Sequence, residues 1–153
     1  MKTLMYILTA ILLVSCDDNM YEFQTVEITT IASGSLFGIT ETSINKQCII
    51  IASDAEWQAC KKEMNAVCDV SGYFTTTYID FSKNEIIAAF GQKEIAGSYN
   101  LITLDAVEGE SMVYIHVRYH DGVSRTGLNY SQSFVIMTIP KTDKAIQINT
   151  VVD

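Results

Sequence analysis

His116, Arg118 and His120 are the residues whose types and spacing most readily support chemistry in this chain. They alternate with Ile115, Val117 and Tyr119. In a strand, side chains two apart share a face, so the three basic groups line up with Tyr114 on one side. Such a ledge could take an anion, or supply two imidazoles of a metal site for which the sequence offers no third ligand. The competing reading is a solvated sheet face whose polar members alternate with core residues. Tyr99, after Gly97-Ser98, reads either as an exposed aromatic anchor of the kind enriched at interfaces or as a core tyrosine with its hydroxyl at the rim. Tyr99, Tyr114, His116, Arg118 and His120 together make the candidate binding surface.

No constellation points to catalysis. Asp80 before Phe81 suits a turn or local cap, and its nearest carboxylate in sequence, Glu85, lies past that turn. Ser98 follows a glycine, but there is no Gly-x-Ser-x-Gly elbow and no phosphate-binding glycine loop. No catalytic residue, cofactor or metal is therefore assigned. The cysteines are Cys16, Cys48, Cys60 and Cys68, with no Cys-x-x-Cys spacing for zinc. Cys60 and Cys68 are the pair best placed for a disulfide, but only if the helix around them ends in between. In a continuous helix they would stand about 12 Å apart at 1.5 Å per residue, beyond disulfide reach. Three buried, reduced thiols packing as small hydrophobes is the other reading.

The chain opens with Met1-Lys2, an apolar run from Leu4 to Val14, and Leu13-Val14-Ser15-Cys16. A basic start, a short apolar stretch and small residues at the cut site describe a secretory signal peptide over residues 1–15. The run is too short for a bilayer span of roughly 20 residues. The ending resembles the lipobox of bacterial lipoproteins, which implies lipidation of Cys16 and contact with a membrane through that N-terminal lipid. The expectation is a lipid-anchored protein of the cell envelope, by default at the outer membrane.

Composition narrows the partners. The 153 residues carry 10 Lys and Arg, one of them Lys2 in the leader, against 18 Asp and Glu, for a net charge of -8. Without a basic run to neutralise phosphates, nucleic-acid binding is excluded as a reading. Acidity also argues against electrostatic adhesion to anionic lipid, which leaves acyl chains as the membrane contact. At 48% hydrophobic and 18% charged, the chain is globular and not disordered.

The elements that must position these groups follow from periodicity. Residues 16–25 read as a short tether, and 26–153 as a single β-rich domain. β-branched density from Val26 to Ile31 gives a first strand, interrupted by Gly34 and Gly38. Cys48 to Ile51 is a short apolar strand. Ser53 with Glu56 makes a capping box, and Trp57, Cys60, Met64 and Val67 recur at helical spacing, predicting a helix from Asp54 to about Asn65. Asp69 to Thr77 reads as a loop. Strands follow at Tyr78–Phe81, Ile86–Phe90, 97–107, Met112–His120, Ser133–Ile139 and Ala145–Val152. Glu108-Gly109-Glu110 and Asp121-Gly122 serve as tight turns. The fold class is mainly β (α+β): an antiparallel sheet assembly, sandwich-like or partly closed, with one packed helix. Trp57, Phe81, Phe90, Ile115 and Ile136 are the expected core.

Several of these segments carry a resemblance. Ile79-Asp80-Phe81, Ile86-Ile87 leading to Phe90-Gly91, Gly97-Ser98-Tyr99, the Val113–Val117 strand and the Phe134–Pro140 strand resemble the C-terminal domain of the PrcB family. That family comprises accessory lipoproteins of a bacterial surface protease complex. Ile49-Ile50 followed by Glu56-Trp57 is similar to the strand and helix that precede this pattern. The likeness runs from about Phe37 to Val152, departing at Ser98, where the family has a second glycine, and in the 122–132 loop, which lacks a proline. It implies a non-catalytic accessory or binding subunit for another exported protein. The alternative is a small-ligand-binding lipoprotein using the His116/Arg118/His120 face.

Overall fold

In the computed structural model the chain is described over residues 22–38, 44–76, 78–95, 101–120 and 129–152. The elements run β1 (Gln24–Thr25), β2 (Thr29–Gly38), β3 (Gln47–Ile51), α1 (Asp54–Val67), a 3-10 turn (Ser71–Tyr73), β4 (Asn84–Ile95), β5 (Leu101–Glu108), β6 (Met112–His120), β7 (Tyr130–Pro140) and β8 (Ala145–Val152). They form two four-stranded sheets, ordered β1-β5-β6-β8 and β2-β7-β4-β3. Every neighbouring pair is antiparallel except β6 and β8, which run parallel. The fold is mainly β with one helix, arranged as two stacked sheets.

Strand β4 explains the layering. Glu85 through Gly91 are all buried, and alternate residues serve different cores because side chains alternate across a strand. Ile86, Ala88 and Phe90 pack with Trp57, Cys60 and Met64 of α1. Ile87 and Ala89 pack with Ala106, Ile115, Val117 and Tyr119 of the other sheet. The result is three layers: helix, sheet, sheet. Full burial of a side chain such as Met64, at 0% exposure, is worth roughly 1.5–3 kcal/mol, so the helix is held to its sheet chiefly by this stripe. Its start is fixed locally. The Glu56 N–H donates to Ser53 Oγ at 3.3 Å, and Glu56 Oε2 accepts the Ala52 N–H at 2.9 Å. The two bonds satisfy backbone donors that a helix start leaves orphaned. The Ala52 N–H above all, with the Ser53 hydroxyl and N–H, holds the Glu56 carboxyl below its ordinary range.

Several sequence expectations change. The helix continues past Asn65 to Val67, with Cys68 at its C-cap. The helix therefore runs unbroken from Cys60 to Val67 and carries Cys68 out of disulfide reach of Cys60, and Cys48, Cys60 and Cys68 are all free thiols. The expected Cys60–Cys68 disulfide is corrected accordingly. Gln24 and Thr25, expected in the tether, pair with Glu108 and Val107 as strand β1. Gly34 and Gly38 do not break the first strand but lie within β2. At Gly34 the Tyr73 ring takes the missing side chain's place, since an added Cβ would stand 2.4 Å from Tyr73 Cε1. No strand forms over Tyr78–Phe81: Asp80 Oδ1 accepts the N–H and hydroxyl of Ser82 at 3.0 and 2.6 Å, closing a turn there. Phe81 is only half-buried, whereas Trp57, Phe90, Ile115 and Ile136 are core. The leader, Cys16, the Asp121-Gly122 turn and Tyr99 lie outside the described residues, as does Ser98.

Candidate functional site

The sheet containing β6 is covered by its partner sheet on one side, through Val113, Ile115, Val117 and Tyr119. Its other side is open, and the alternation of β6 puts Tyr114, His116, Arg118 and His120 there. The four residues read from the sequence as a ledge are thus on one face, with Tyr99 outside the described residues. The flanking strands complete the surface. Register places Val107, Asp105 and Thr103 of β5 opposite Tyr114, His116 and Arg118, and Gln147, Asn149 and Val151 of β8 beside the same three.

The face has two halves. At one end Phe23 packs edge-on against Tyr114, with ring centroids 5.9 Å apart. The Tyr114 hydroxyl contacts Met112 Sδ at 3.8 Å. Phe23 remains 61% exposed, an aromatic at the surface beside a second one. At the other end His116 Nδ1 meets Asp105 Oδ1 at 2.7 Å. Asp105 orients the ring, and Nε2 has no partner among the described residues. His120 Nε2 lies 3.3 Å from Thr103 Oγ1. Between the two histidines, Arg118 is exposed and forms no ion pair among the described residues. A guanidinium so placed can grip a carboxylate with two parallel N–H donors.

Two of these contributors escaped the sequence. Phe23 was assigned to the tether. Asp105 carried no motif, yet the tight turn at Gly109 would have found it. Gly109 N–H donates to Met112 C=O at 2.8 Å and Glu108 faces Val113, so counting back three pairs puts Asp105 against His116.

Among the described residues, no three His, Cys, Asp or Glu side chains come together as a metal site. Asp80 is occupied by Ser82 and Lys83, and its carboxyl is held below the ordinary range chiefly by the Ser82 hydroxyl and N–H. Burial pushes the Cys48 and Cys60 thiols up to about 12 and about 11, far from the thiolate form a nucleophile needs. The cavity beside α1 is lined by Trp57, Lys61 and Phe74, and a sliver between the sheets by Ile28, Leu104 and Met137. Neither includes His116, Arg118 or His120. Comparison of the chain with protein-family models, curated proteins and solved structures finds no match.

Proposed function

We propose that this protein is a non-catalytic envelope lipoprotein, anchored through Cys16, that binds another exported protein through the open face of the β1-β5-β6-β8 sheet. The observation that carries the reading is the makeup of that face. An exposed Phe23 on a half-buried Tyr114 adjoins the Asp105-oriented His116 and an Arg118 that forms no ion pair among the described residues. Aromatics and arginine are the residue types that dominate binding energy at interfaces. The partner surface would present an apolar side chain to Phe23 and Tyr114 and a carboxylate to Arg118. An open sheet face, with the two cavities among the described residues lying elsewhere, favours a macromolecular partner over a small ligand at this site. The PrcB-like segments support the same accessory role.

The test is cross-linking and recovery of the full-length lipoprotein from its native envelope, beside Cys16→Ala, Arg118→Glu and Tyr114→Ala versions. A single protein recovered with the parent and reduced at least tenfold with Arg118→Glu supports the reading, a tenfold change being about 1.4 kcal/mol. Circular dichroism matching the parent would exclude misfolding as the cause. Equal recovery by all three variants would overturn it.

A further inference from the structure

A cavity lies beside α1, apart from the His116 face. It encloses about 230 Å³ and is lined by Trp57, Lys61, Asn65, Ser71, Phe74 and Thr76. Trp57, Lys61 and Asn65 follow one another at i, i+4 and i+8, a single stripe of the helix. The segment after the 3-10 turn forms the opposite wall. Trp57 and Phe74 meet edge-to-face with centroids 5.4 Å apart, and the Lys61 ammonium stands 5.3 Å from the Trp57 ring centre. The base is thus apolar and aromatic, and a cation sits at its edge.

The polar atoms of the lining sort by whether they are already used. Asn65 Oδ1 accepts the Val70 N–H at 3.1 Å, which leaves Nδ2 as a donor without an acceptor among the described residues. Lys61 Nζ has the indole ring as its one contact there. The Trp57 indole N–H also has no acceptor among the described residues, although Trp57 is only 3% exposed. It is not sealed from solvent, since Glu85 Oε2 alone is both fully buried and unpartnered among them. Thr76 Oγ1 is engaged with Tyr78, and the Ser71 N–H with Asp69. What remains is three donors, one of them charged, and no carboxylate in the lining.

From this we propose that the cavity binds a small carboxylate with a planar apolar body. The ring would lie against the Trp57–Phe74 pair, and the carboxylate would accept from Lys61, Asn65 and the indole N–H. Size fits that class: a cavity of roughly 150 Å³ admits benzene, and the remaining volume accommodates a carboxylate. A phosphate-bearing or polycationic ligand does not fit one ammonium and an aromatic base.

Trp57 is the single tryptophan of the chain, so its fluorescence reports on this cavity alone. Sodium benzoate and phenylacetate would be titrated into the folded protein, with benzyl alcohol as the uncharged control. A saturable change with the carboxylates, absent with the alcohol and weakened about tenfold by Lys61→Gln, is the expected result. Lys61 is half-buried on the helix surface, so the variant keeps the fold. Backbone amide shifts on benzoate addition provide a second readout, expected at Lys61, Asn65, Ser71 and Thr76. No saturable signal at millimolar benzoate overturns the proposal. So does equal affinity for the alcohol, or shifts confined to the His116 face.

Discussion

Gln132→Met should cost about 3 kcal/mol, although a glutamine in a strand is ordinarily a surface residue. Gln132 is 2% exposed. Its Oε1 accepts the Ile44 N–H at 3.0 Å, and its Nε2 donates to the carbonyls of Ile44 and Gly91, the latter at 2.8 Å. The need for this clamp originates in β4, whose pairing with β7 shifts register between Phe90 and Lys93. A bulge of this kind leaves backbone groups outside the ladder, and the Gly91 carbonyl is one of them. Methionine keeps nearly the same length and volume but can neither donate to the carbonyls nor accept well from an N–H. Three backbone groups then lose their partner. Each costs about 1–3 kcal/mol if it stays buried, and relaxation of the segment at Ile44 toward water brings the sum to the low end. Urea denaturation measures the total, and hydrogen exchange at the Ile44 amide isolates the local part. A Gln132→Met protein within about 0.5 kcal/mol of the parent, with Ile44 still protected, would refute the reasoning.

Two more outcomes follow from buried contacts. Gly34→Ala should destabilise by about 1–3 kcal/mol, because the new methyl group would meet Tyr73, whose ring also packs on Phe134 and whose hydroxyl donates to Ser35 C=O; adding Tyr73→Ala should make Gly34→Ala nearly neutral, and a full penalty in that background would be the contrary result. Cys48 and Cys60 should resist iodoacetamide at pH 8 in the folded protein while all three described cysteines react in denaturant, and a Cys60–Cys68 crosslink in a non-reducing peptide map would contradict the free-thiol geometry. The same burial sets an alkaline limit. Because these thiols are raised from 9.0 to about 12 and about 11 when folded, the unfolded chain loses their protons first. Stability is unaffected below pH 9 and declines from there towards pH 12, and Cys48→Ala should flatten that slope.

How much of this was legible depends on where the deciding contact lies. Met112–His120 and Ala145–Val152 are found to the residue, the first because one buried and one open face write a strict alternation. β4 is legible as an apolar run because both its faces are covered, though its extension to Ile95 is not, the ladder there being polar. β2 was cut short because Gly34 reads locally as a breaker, while the Tyr73 ring that fills its place arrives from the far side of the helix. Gln132 was invisible for a related reason: its partners, Ile44 and Gly91, are 88 and 41 residues away. The parallel pairing of β8 with β6 could not be read either. The chain between them passes through β7 in the other sheet, and no periodicity records such a crossover. Of the candidate face, the β6 residues were legible because one strand holds them. Of the cavity, only Trp57 was, as a member of the helix's apolar stripe.

The position of β1 ties the proposed anchor to the proposed face. Phe23, one residue before the strand, rests on Tyr114, so the chain arriving from Cys16 enters the domain on its open side. From Cys16 to Gln24 the backbone can reach at most about 29 Å, at up to roughly 3.6 Å per residue. With Cys16 in lipid, Gln24 would be held within that distance of the membrane, and Tyr114 close beside it. A partner confined to the same membrane would then meet it at a raised effective concentration, and modest intrinsic affinity would suffice. The helix, on the opposite side of the three layers, is left to cover the second sheet and to frame the Trp57 cavity. In this arrangement a small carboxylate and a protein partner would approach from opposite sides of the molecule without competing for surface.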